Sequence, residues 1–240
     1  MTQTIAIVGN GRLGNALADA LRASGYAVTG PLARGADGAG AELVLLCVPD
    51  AEIEAAARQI AAGVLLGHCS GATPLSVLGD RERLGLHPLM TVTPTGAVFA
   101  GSACAIAGST PNALVRAHAL AADLGMRAFE IAEEHRAAYH AAASVASNFL
   151  VTLEGFAEQL AATAQVPRDA LVPLVRATVD NWAAAGAERA LTGPIARGDM
   201  ATVARQRGAV LQRTPEYVAL FDALTHATSV LAGSQPQVAA

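Results

Sequence analysis

Short apolar runs alternate with helical patterns over residues 1–131. The apolar runs predict seven strands, at 4–8, 26–29, 43–48, 64–68, 83–86, 103–107 and 127–131. Apolar residues spaced three and four apart predict helices at 12–24, 51–61 and 111–124. Alternation of strands and helices is typical of a doubly wound, mostly parallel sheet, so we predict an α/β fold for this region. Ligands of such sheets bind beyond the carboxyl ends of the strands.

The pattern changes to helix alone after residue 131. Residues 133–164 predict one long alanine-rich helix, and further helices are expected at 168–186, 200–211 and 215–231. Pro173 is expected to kink or restart the second of these helices. We therefore predict an all-helical domain over residues 132–232, followed by a flexible tail at 233–240.

A glycine turn joins the first strand to the first helix. Gly9, Gly11 and Gly14 have the G-x-G-x-x-G spacing of a dinucleotide-binding turn. The first glycine allows a tight turn, the second a close approach of pyrophosphate, and the third close packing of helix and strand. The helix N-terminus then attracts phosphate. The predicted cofactor-binding residues are those of this turn and of the loops after the third and fourth strands: Gly9, Asn10, Gly11, Arg12, Leu13, Gly14, Val48, Pro49 and Ser70.

The second strand favours NADP over NAD. Enzymes that bind NAD usually have a carboxylate at the end of this strand, where it binds the ribose 2′-hydroxyl. Here the strand is followed by Gly30, Pro31 and then Arg34. A guanidinium suits a 2′-phosphate, and Arg12 could assist from the glycine turn. The alternative is that Arg34 is only a solvated loop residue.

Composition excludes several classes of function. The net charge is −4, with no basic run, so nucleic acid is not expected as a partner. No long apolar segment or leader is visible, which predicts a soluble cytoplasmic protein. All 16 basic residues are arginine, so lysine catalysis is excluded. Cys47, Cys69 and Cys104 lie in apolar surroundings and are expected to be buried thiols, with neither a disulfide nor a metal site.

A polar stripe on the long helix is the main candidate for chemistry. His140, Ser144 and Asn148 recur every four residues and would share one helix face among alanines. His140 is the expected proton donor, because its ordinary pKa is near neutrality. A hydrogen-bond network between helices, or a solvated face, is the alternative.

Two further residues are weaker candidates. His87 is expected at a strand end, where it would contact substrate, orient the polar stripe of the long helix, or only cap the strand. His68 is a similar candidate, and its neighbours Cys69, Ser70 and Gly71 suggest a tight loop near the cofactor. Arg197 lies on a loop bounded by glycine and proline, where it could bind a substrate carboxylate or form a surface ion pair. Asp199 lies on the same loop as Arg197 and could either take part in that ion pair or cap the following helix.

Several motifs together resemble a known group of proteins. They are GNGRLG at 9–14, VPD at 48–50, HCSG at 68–71, GLHP at 85–88, the segment 139–149 and LTGPIARGD at 191–199. The chain resembles, over nearly its whole length, the short Rossmann-like oxidoreductases that carry a helical domain of unknown function. That group is similar to the superfamily of 6-phosphogluconate dehydrogenase, β-hydroxyacid dehydrogenases, ketopantoate reductases and pyrroline-carboxylate reductases.

The resemblance implies an N-terminal Rossmann domain, a helical domain that mediates dimerisation, and a cleft between them. Some members of the group are thought to act as alternative ketopantoate reductases. One departure matters: the wider superfamily has a Lys and an Asn four residues apart on the first interdomain helix. Asn148 matches the Asn, whereas Ser144 occupies the Lys position.

Together, the motifs and the resemblance predict an NADP-dependent oxidoreductase that reduces a small carbonyl acid. The resemblance implies ketopantoate as the leading substrate and a homodimer formed through the helical domain. His140 would protonate the alkoxide, Ser144 and Asn148 would position the substrate, and His87 and Arg197 would complete the pocket. The alternatives are an imine reductase, a prephenate-dehydrogenase-like enzyme, a regulator that senses NADP(H) without turning it over, and a structural helical dimer.

Overall fold

The structure, a computed structural model, describes residues 3–93 and 96–233. The chain divides into two compact units, Met1–Ser147 and Asn148–Ala240. Residues 132–147, which the sequence grouped with the helical domain, belong to the first unit. The predicted flexible tail lies outside the described residues apart from Gly233, which is part of a turn.

The first unit contains a seven-stranded sheet in the order β2-β1-β3-β4-β5-β6-β7. Strands β5 and β6 are antiparallel, and all the other neighbouring strands of this sheet pair in parallel. The predicted α/β class with a mostly parallel sheet is therefore confirmed. The strands are β1 (Thr4–Val8), β2 (Ala27–Leu32), β3 (Leu43–Leu46), β4 (Leu65–His68), β5 (Arg83–Leu89), β6 (Ala103–Gly108) and β7 (Arg127–Glu130).

Both faces of this sheet are covered, which explains why its central strands are continuous apolar runs. Successive side chains of a strand point to opposite faces, so Ile5 and Ile7 join one core while Ala6 and Val8 join the other. The first core lies beneath α1 (Arg12–Ala23) and α3 (Pro111–Asp123). The second includes residues of α2 (Ile53–Ala57) and of a 3₁₀ turn, Leu75–Leu78.

The predicted long helix at 133–164 is interrupted. It consists of a 3₁₀ turn (Glu133–His135), α4 (Arg136–Ser144), a π-helical segment (Val145–Phe149) and α5 (Leu150–Ala162). A π-helix bonds residue i to i+5 instead of i+4, so a four-residue spacing does not mark one face across it. The α-helical spacing that predicted a shared face therefore applies to His140 and Ser144, and does not extend to Asn148.

Helices make up the regular structure described in the second unit. After α5 come α6 (Arg168–Ala185), α7 (Ala187–Ala190), α8 (Met200–Arg213) and α9 (Val218–Leu231). Helix α6 runs through Pro173 without restarting, contrary to one of the two expectations for that residue. The short α7 was not predicted. Asp199 caps α8 by accepting a hydrogen bond from the Thr202 amide at 3.0 Å, as its spacing suggested.

The second unit buries little of its apolar surface. The buried residues between positions 148 and 233 are Phe156, Val203, Val210, Thr214 and Ser229. Large apolar side chains such as Phe149, Leu174 and Trp182 are exposed instead. None of the helices in residues 3–93 and 96–233 combines the length and apolar character needed to cross a bilayer.

Candidate active site

The glycine turn after β1 has the geometry that its spacing predicts. Gly9 has a φ of +117°, and a Cβ at this position would overlap the carbonyl oxygen of Cys47. A Cβ at Gly14 would overlap the carbonyl oxygen of Gly9. By contrast, nothing lies within 4 Å of the Cβ position of Gly11. The first and third glycines thus allow close packing, while the second leaves open the side from which a phosphate would approach.

The side chain of Asn15 holds this turn in place, a role that sequence reasoning missed. Its Nδ2 donates to the carbonyl oxygens of Asn10 at 2.8 Å and Gly11 at 2.9 Å. Gly11 is the N-cap of α1 and has no side chain that could accept from the first-turn amides. Those amides can therefore interact with an anion.

A cavity of about 500 Å³ lies beside the turn, at the carboxyl ends of β1, β3 and β4. Six of the predicted cofactor residues line it together. The lining residues are Gly11, Arg12, Leu13, Leu46, Cys47, Val48, Pro49, Asp50, Cys69, Ser70 and Val92. The open glycine and the exposed helix N-terminus fit a dinucleotide at this cavity. The binding roles of the individual residues stay predictions.

Arg34 already has an anionic partner. Its Nη1 lies 2.8 Å from Oε1 of Glu52, and both side chains are substantially exposed. Glu52 belongs to the 3₁₀ turn that begins at Asp50, one of the residues lining the cavity. A 2′-phosphate would therefore compete with Glu52 for the guanidinium.

The Ser70 hydroxyl organises the loop after β4. It accepts hydrogen bonds from the amides of Ala72 at 3.2 Å and Thr73 at 2.9 Å, and donates to the Thr73 hydroxyl at 2.9 Å. The Ser70 amide in turn donates to Nδ1 of His68 at 3.2 Å. These bonds show a tight loop directly after His68, which is itself the last residue of β4. The Ser70 hydroxyl forms hydrogen bonds within that loop.

The three cysteines are free thiols. Cys69 and Cys104 are buried as expected, whereas Cys47 is only half-buried because it lies at the edge of the cavity. The sulfur atoms of Cys47 and Cys69 are 3.7 Å apart. Burial raises the pKa of Cys104 to about 12, and the hydrogen bond to Cys47 together with burial raises that of Cys69 well above its usual value.

His87 lies inside a strand, which corrects its predicted position at a strand end. Strand β5 continues to Leu89, and His87 pairs with Ala105 of the antiparallel neighbour β6. The following Pro88 suggested an earlier end, since proline cannot donate a ladder hydrogen bond. Even so, Pro88 is paired with Cys104 in the same ladder.

Helix α4 covers His87 with a polar face. Tyr139 Oη lies 2.6 Å from Nδ1 of His87, and the two rings meet edge to face at 5.6 Å. The rings of His87 and His140 have centroids 6.3 Å apart. Gly71 fits against both imidazoles: a Cβ there would lie 2.8 Å from His87 Cε1 and 3.0 Å from His140 Cδ2. The structure thus brings together His140 and His87, as predicted, and adds Tyr139 and Gly71.

A buried arginine lies next to this cluster. Arg136 is 4% exposed, and its Nε donates to Oε1 of Glu133 at 3.3 Å. Its Nη2 has no hydrogen-bond partner among the described residues, and neither does Nε2 of the fully buried His68. Gly85 makes room for this guanidinium, since a Cβ there would lie 3.1 Å from Nη2.

Burial and neighbouring basic side chains lower the pKa values of two histidines. The pKa of His68 is lowered to about 4 by burial and then by the charge of Arg136. The pKa of His87 is lowered to about 4 by burial and then by His140, with Arg136 and His68 acting in the same direction and Asp50 opposing them. Sequence reasoning missed Arg136 and Tyr139, although their spacing from His140 (i, i+3, i+4) places all three on one helix face.

The other predicted site residues are not part of this cluster. Ser144 lies one turn beyond His140 on α4 and is half-buried. Asn148 and Arg197 belong to the second unit, and both are exposed. Their contacts with a substrate stay predictions. His118, His135 and His226 are exposed.

A larger cavity, of about 740 Å³, lies at the other end of the strands, away from the glycine turn. Its lining includes Arg83 at the start of β5, Gly108 at the end of β6, and Glu130 at the end of β7. None of the predicted cofactor or catalytic residues lines it. We therefore place the candidate active site at the smaller cavity and the neighbouring histidines.

Residues 102–228 match the family model described as "Domain of unknown function (DUF2520)". The chain belongs to this family. Membership confirms the predicted group with a domain of unknown function, whereas the wider link to ketopantoate reductases stays a prediction. A search of curated proteins found no match.

Solved structures share the fold over nearly the whole chain. The "putative NADP oxidoreductase BF3122" from Bacteroides fragilis is 20% identical with a TM-score of 0.82, covering 95% of this chain and 98% of its own. Protein TM1727 from Thermotoga maritima is 23% identical with a TM-score of 0.82, covering 96% of this chain and 100% of its own. An imine reductase from Streptomyces aurantiacus is 18% identical with a TM-score of 0.66, covering 97% of this chain and 96% of its own. At these low sequence identities, the structural similarity shows only that the proteins share a fold.

Proposed function

We propose that the chain is an NADP-dependent oxidoreductase that reduces a small carbonyl acid by hydride transfer, with ketopantoate as the leading substrate. One observation carries the proposal. In the loop after β4, Ser70 lines the cavity beside the glycine turn, and the next residue, Gly71, contacts both His87 and His140. A dinucleotide bound in that cavity would contact the loop at Ser70. The imidazole rings of His87 and His140 would then lie against the next residue of the same loop, Gly71.

The chain supplies the parts of a dinucleotide site. The amides at the start of α1 would bind the pyrophosphate, and Gly11 leaves it room. Arg34 and Arg12 would bind a 2′-phosphate. Arg34 would break its ion pair with Glu52 and form one with the phosphate instead. When bound, the nicotinamide would supply the hydride; the residues around it bind, orient and protonate.

His140 is the proposed proton donor to the developing alkoxide. It is half-buried on α4, against His87 and Gly71. Ser144, one turn further along the same face, would hydrogen-bond the substrate. Asn148 and Arg197 remain proposed substrate contacts because of their sequence motifs.

Imine reduction is the second candidate, because the imine reductase of Streptomyces aurantiacus shares this fold and because a histidine can protonate nitrogen as well as oxygen. A regulator that only senses NADP(H) would not need imidazoles beside the cofactor. The packing of His87 against His140 therefore favours an enzyme over a sensor.

We also propose that the second unit forms a homodimer. Helix α6 exposes Leu174, Val179 and Trp182, and an apolar groove of about 220 Å³ lies between α5 and α6. A unit that leaves so many large apolar side chains exposed needs a partner surface. A second copy of this chain, presenting the same helices, would supply it.

The experiment that tests the function has two stages. Calorimetry with NADPH and NADH is expected to show tighter binding of NADPH. NADPH oxidation is then followed with ketopantoate and with cyclic imines, for the wild type, His140→Ala and, as control, the exposed His226→Ala. Loss of turnover in His140→Ala alone, with NADPH affinity retained, supports the proposal. Absence of binding for both nucleotides would contradict it.

A further inference from the structure

Tyr139 makes a close polar contact with His87 from an element 52 residues further along the chain. Its hydroxyl oxygen lies 2.6 Å from Nδ1. The ring of Tyr139 also packs edge to face on Phe129 of β7, with centroids 5.8 Å apart. The tyrosine is thus held between two strands, β5 and β7, and its hydroxyl reaches one nitrogen of His87.

We infer that Tyr139 is a positioning residue: its hydroxyl donates to Nδ1 and holds His87 as the neutral tautomer that carries its proton on Nε2. The functional consequence rests on the proposed reductase activity, whereas the tautomer itself does not. In a neutral imidazole one nitrogen donates and the other accepts, and the partner of one nitrogen decides which.

The surroundings of both side chains support this direction of the hydrogen bond. Burial and the neighbouring His140, Arg136 and His68 lower the pKa of His87, against the opposing effect of Asp50. Burial and the Cys104 thiol raise the pKa of Tyr139 to about 12, against the opposing effect of Arg136. Both groups are therefore neutral near pH 7. An imidazole nitrogen is a better acceptor than a phenol oxygen, so the phenol donates.

A neutral His87 in this tautomer would be a hydrogen-bond donor through Nε2. Such a donor can polarise a carbonyl oxygen in the way a neutral histidine acts as an electrophile in some isomerases. Proton transfer would then belong to His140. A protonated imine has no lone pair on nitrogen to accept from Nε2–H. The inference therefore favours a carbonyl substrate over an iminium ion.

Nuclear magnetic resonance of full-length protein with ¹⁵N-labelled histidine tests the tautomer directly. The His87 signals are assigned with His87→Gln. At pH 7 we expect the wild type to show a protonated Nε2 and an unprotonated Nδ1. In Tyr139→Phe the two nitrogens are expected to shift towards each other as both tautomers become populated. A protonated Nδ1 in the wild type, or unchanged shifts in Tyr139→Phe, would overturn the inference.

Kinetics separates this inference from the proposed function. With an active substrate, Tyr139→Phe is expected to lower kcat about tenfold, less than the roughly 100-fold that a 1 Å misplacement of a catalytic group can cost. NADPH affinity and KM should stay within about twofold. The control is Tyr26→Phe, which removes a hydroxyl bonded to Asp123 instead. If no substrate is reduced, the proposed function fails and the magnetic resonance result still decides the tautomer; an unchanged kcat in Tyr139→Phe would contradict the positioning role.

Discussion

Gly71 lies directly against the imidazole ring of His87. A Cβ on this glycine would be 2.8 Å from Cε1 and 2.9 Å from Nδ1 of that ring. The same Cβ would be 3.0 Å from Cδ2 of His140. Side chains rarely tolerate such distances, so any residue larger than glycine would displace at least one of the two histidines.

Gly71→Ala is therefore expected to disturb chemistry more than cofactor binding. A shift of about 1 Å in a catalytic group can cost up to about 100-fold in rate, and we expect kcat to fall at least about tenfold. The NADPH dissociation constant should change by less than about threefold, since Ser70 and the glycine turn keep their backbone positions. Steady-state kinetics and calorimetry measure the two quantities.

Gly155→Ala is the matched control for this substitution. Gly155 lies in α5, and nothing is within 4 Å of its Cβ position. Alanine is also the better helix former, so stability should not fall. A kcat for Gly71→Ala equal to that of Gly155→Ala would show that the histidines do not take part in catalysis.

Stability is expected to fall in mild acid because His68 is buried without charge. Its pKa is lowered from 6.5 to about 4 by burial and by Arg136. Between these values the unfolded chain binds the proton and the folded chain does not, so protons favour unfolding. The free energy of unfolding should thus decrease as the pH falls from about 6.5 towards 4, by about 3 kcal/mol for this group.

Urea unfolding at pH 7.0 and at pH 5.0 measures this dependence. His68→Asn keeps an acceptor for the Ser70 amide and removes the titrating group. We expect the variant to lose less stability than the wild type between the two pH values. The exposed His226→Asn should behave as the wild type. Equal losses in wild type and His68→Asn would show that His68 is not buried in its neutral form.

Selectivity for NADPH is expected to depend on competition between Glu52 and the 2′-phosphate for Arg34. Arg34→Ala removes a charge-assisted hydrogen bond, so NADPH affinity should fall by about tenfold, with NADH affinity unchanged. Glu52→Gln frees the guanidinium and should increase NADPH affinity. Parallel calorimetry with the two nucleotides checks both variants.

The control for this pair is Arg58→Ala, because Arg58 forms an exposed ion pair with Glu54 at 2.6 Å. This variant also loses one surface arginine, yet NADPH affinity should be retained. If Arg34→Ala changes the affinities for NADPH and NADH equally, Arg34 does not bind the 2′-phosphate. It would then be only a solvated loop residue, which is the alternative given in the sequence analysis.

Local patterns explain how much of the fold was predictable. The apolar runs of β1 and β3 mark strands buried on both faces, and the spacing of Gly9, Gly11 and Gly14 encodes a turn within six residues. These signals are complete within a short window of sequence. The sheet and the glycine turn could therefore be predicted, and so could six of the residues that line the cavity beside that turn.

Contacts between distant elements explain what was missed. The hydrogen bond between Tyr139 and His87 joins residues 52 positions apart, and neither residue carries a local sign of the other. The pairing of Arg34 with Glu52 likewise depends on how two loops meet. The π-helical segment was missed because a four-residue spacing of polar residues indicates a shared face only in an α-helix, and the hydrogen-bond pattern of the helix is not visible in the sequence.

Dimerisation through the second unit is expected to stabilise that unit. Leu174 on α6 is 66% exposed and borders the groove between α5 and α6. Light scattering coupled to gel filtration should give twice the 24.2 kDa mass of the chain. The melting temperature should rise with protein concentration, as mass action requires of a folded dimer.

Leu174→Glu is expected to shift the protein to monomer and to lower the melting temperature, since a carboxylate would be buried without a partner at the interface. The matched control is Val115→Glu on α3, because Val115 is 64% exposed but belongs to the first unit. This variant should remain a dimer. A monomeric wild type over the measured concentration range would rule out the dimer, and dissociation of both variants alike would place the interface elsewhere than α6.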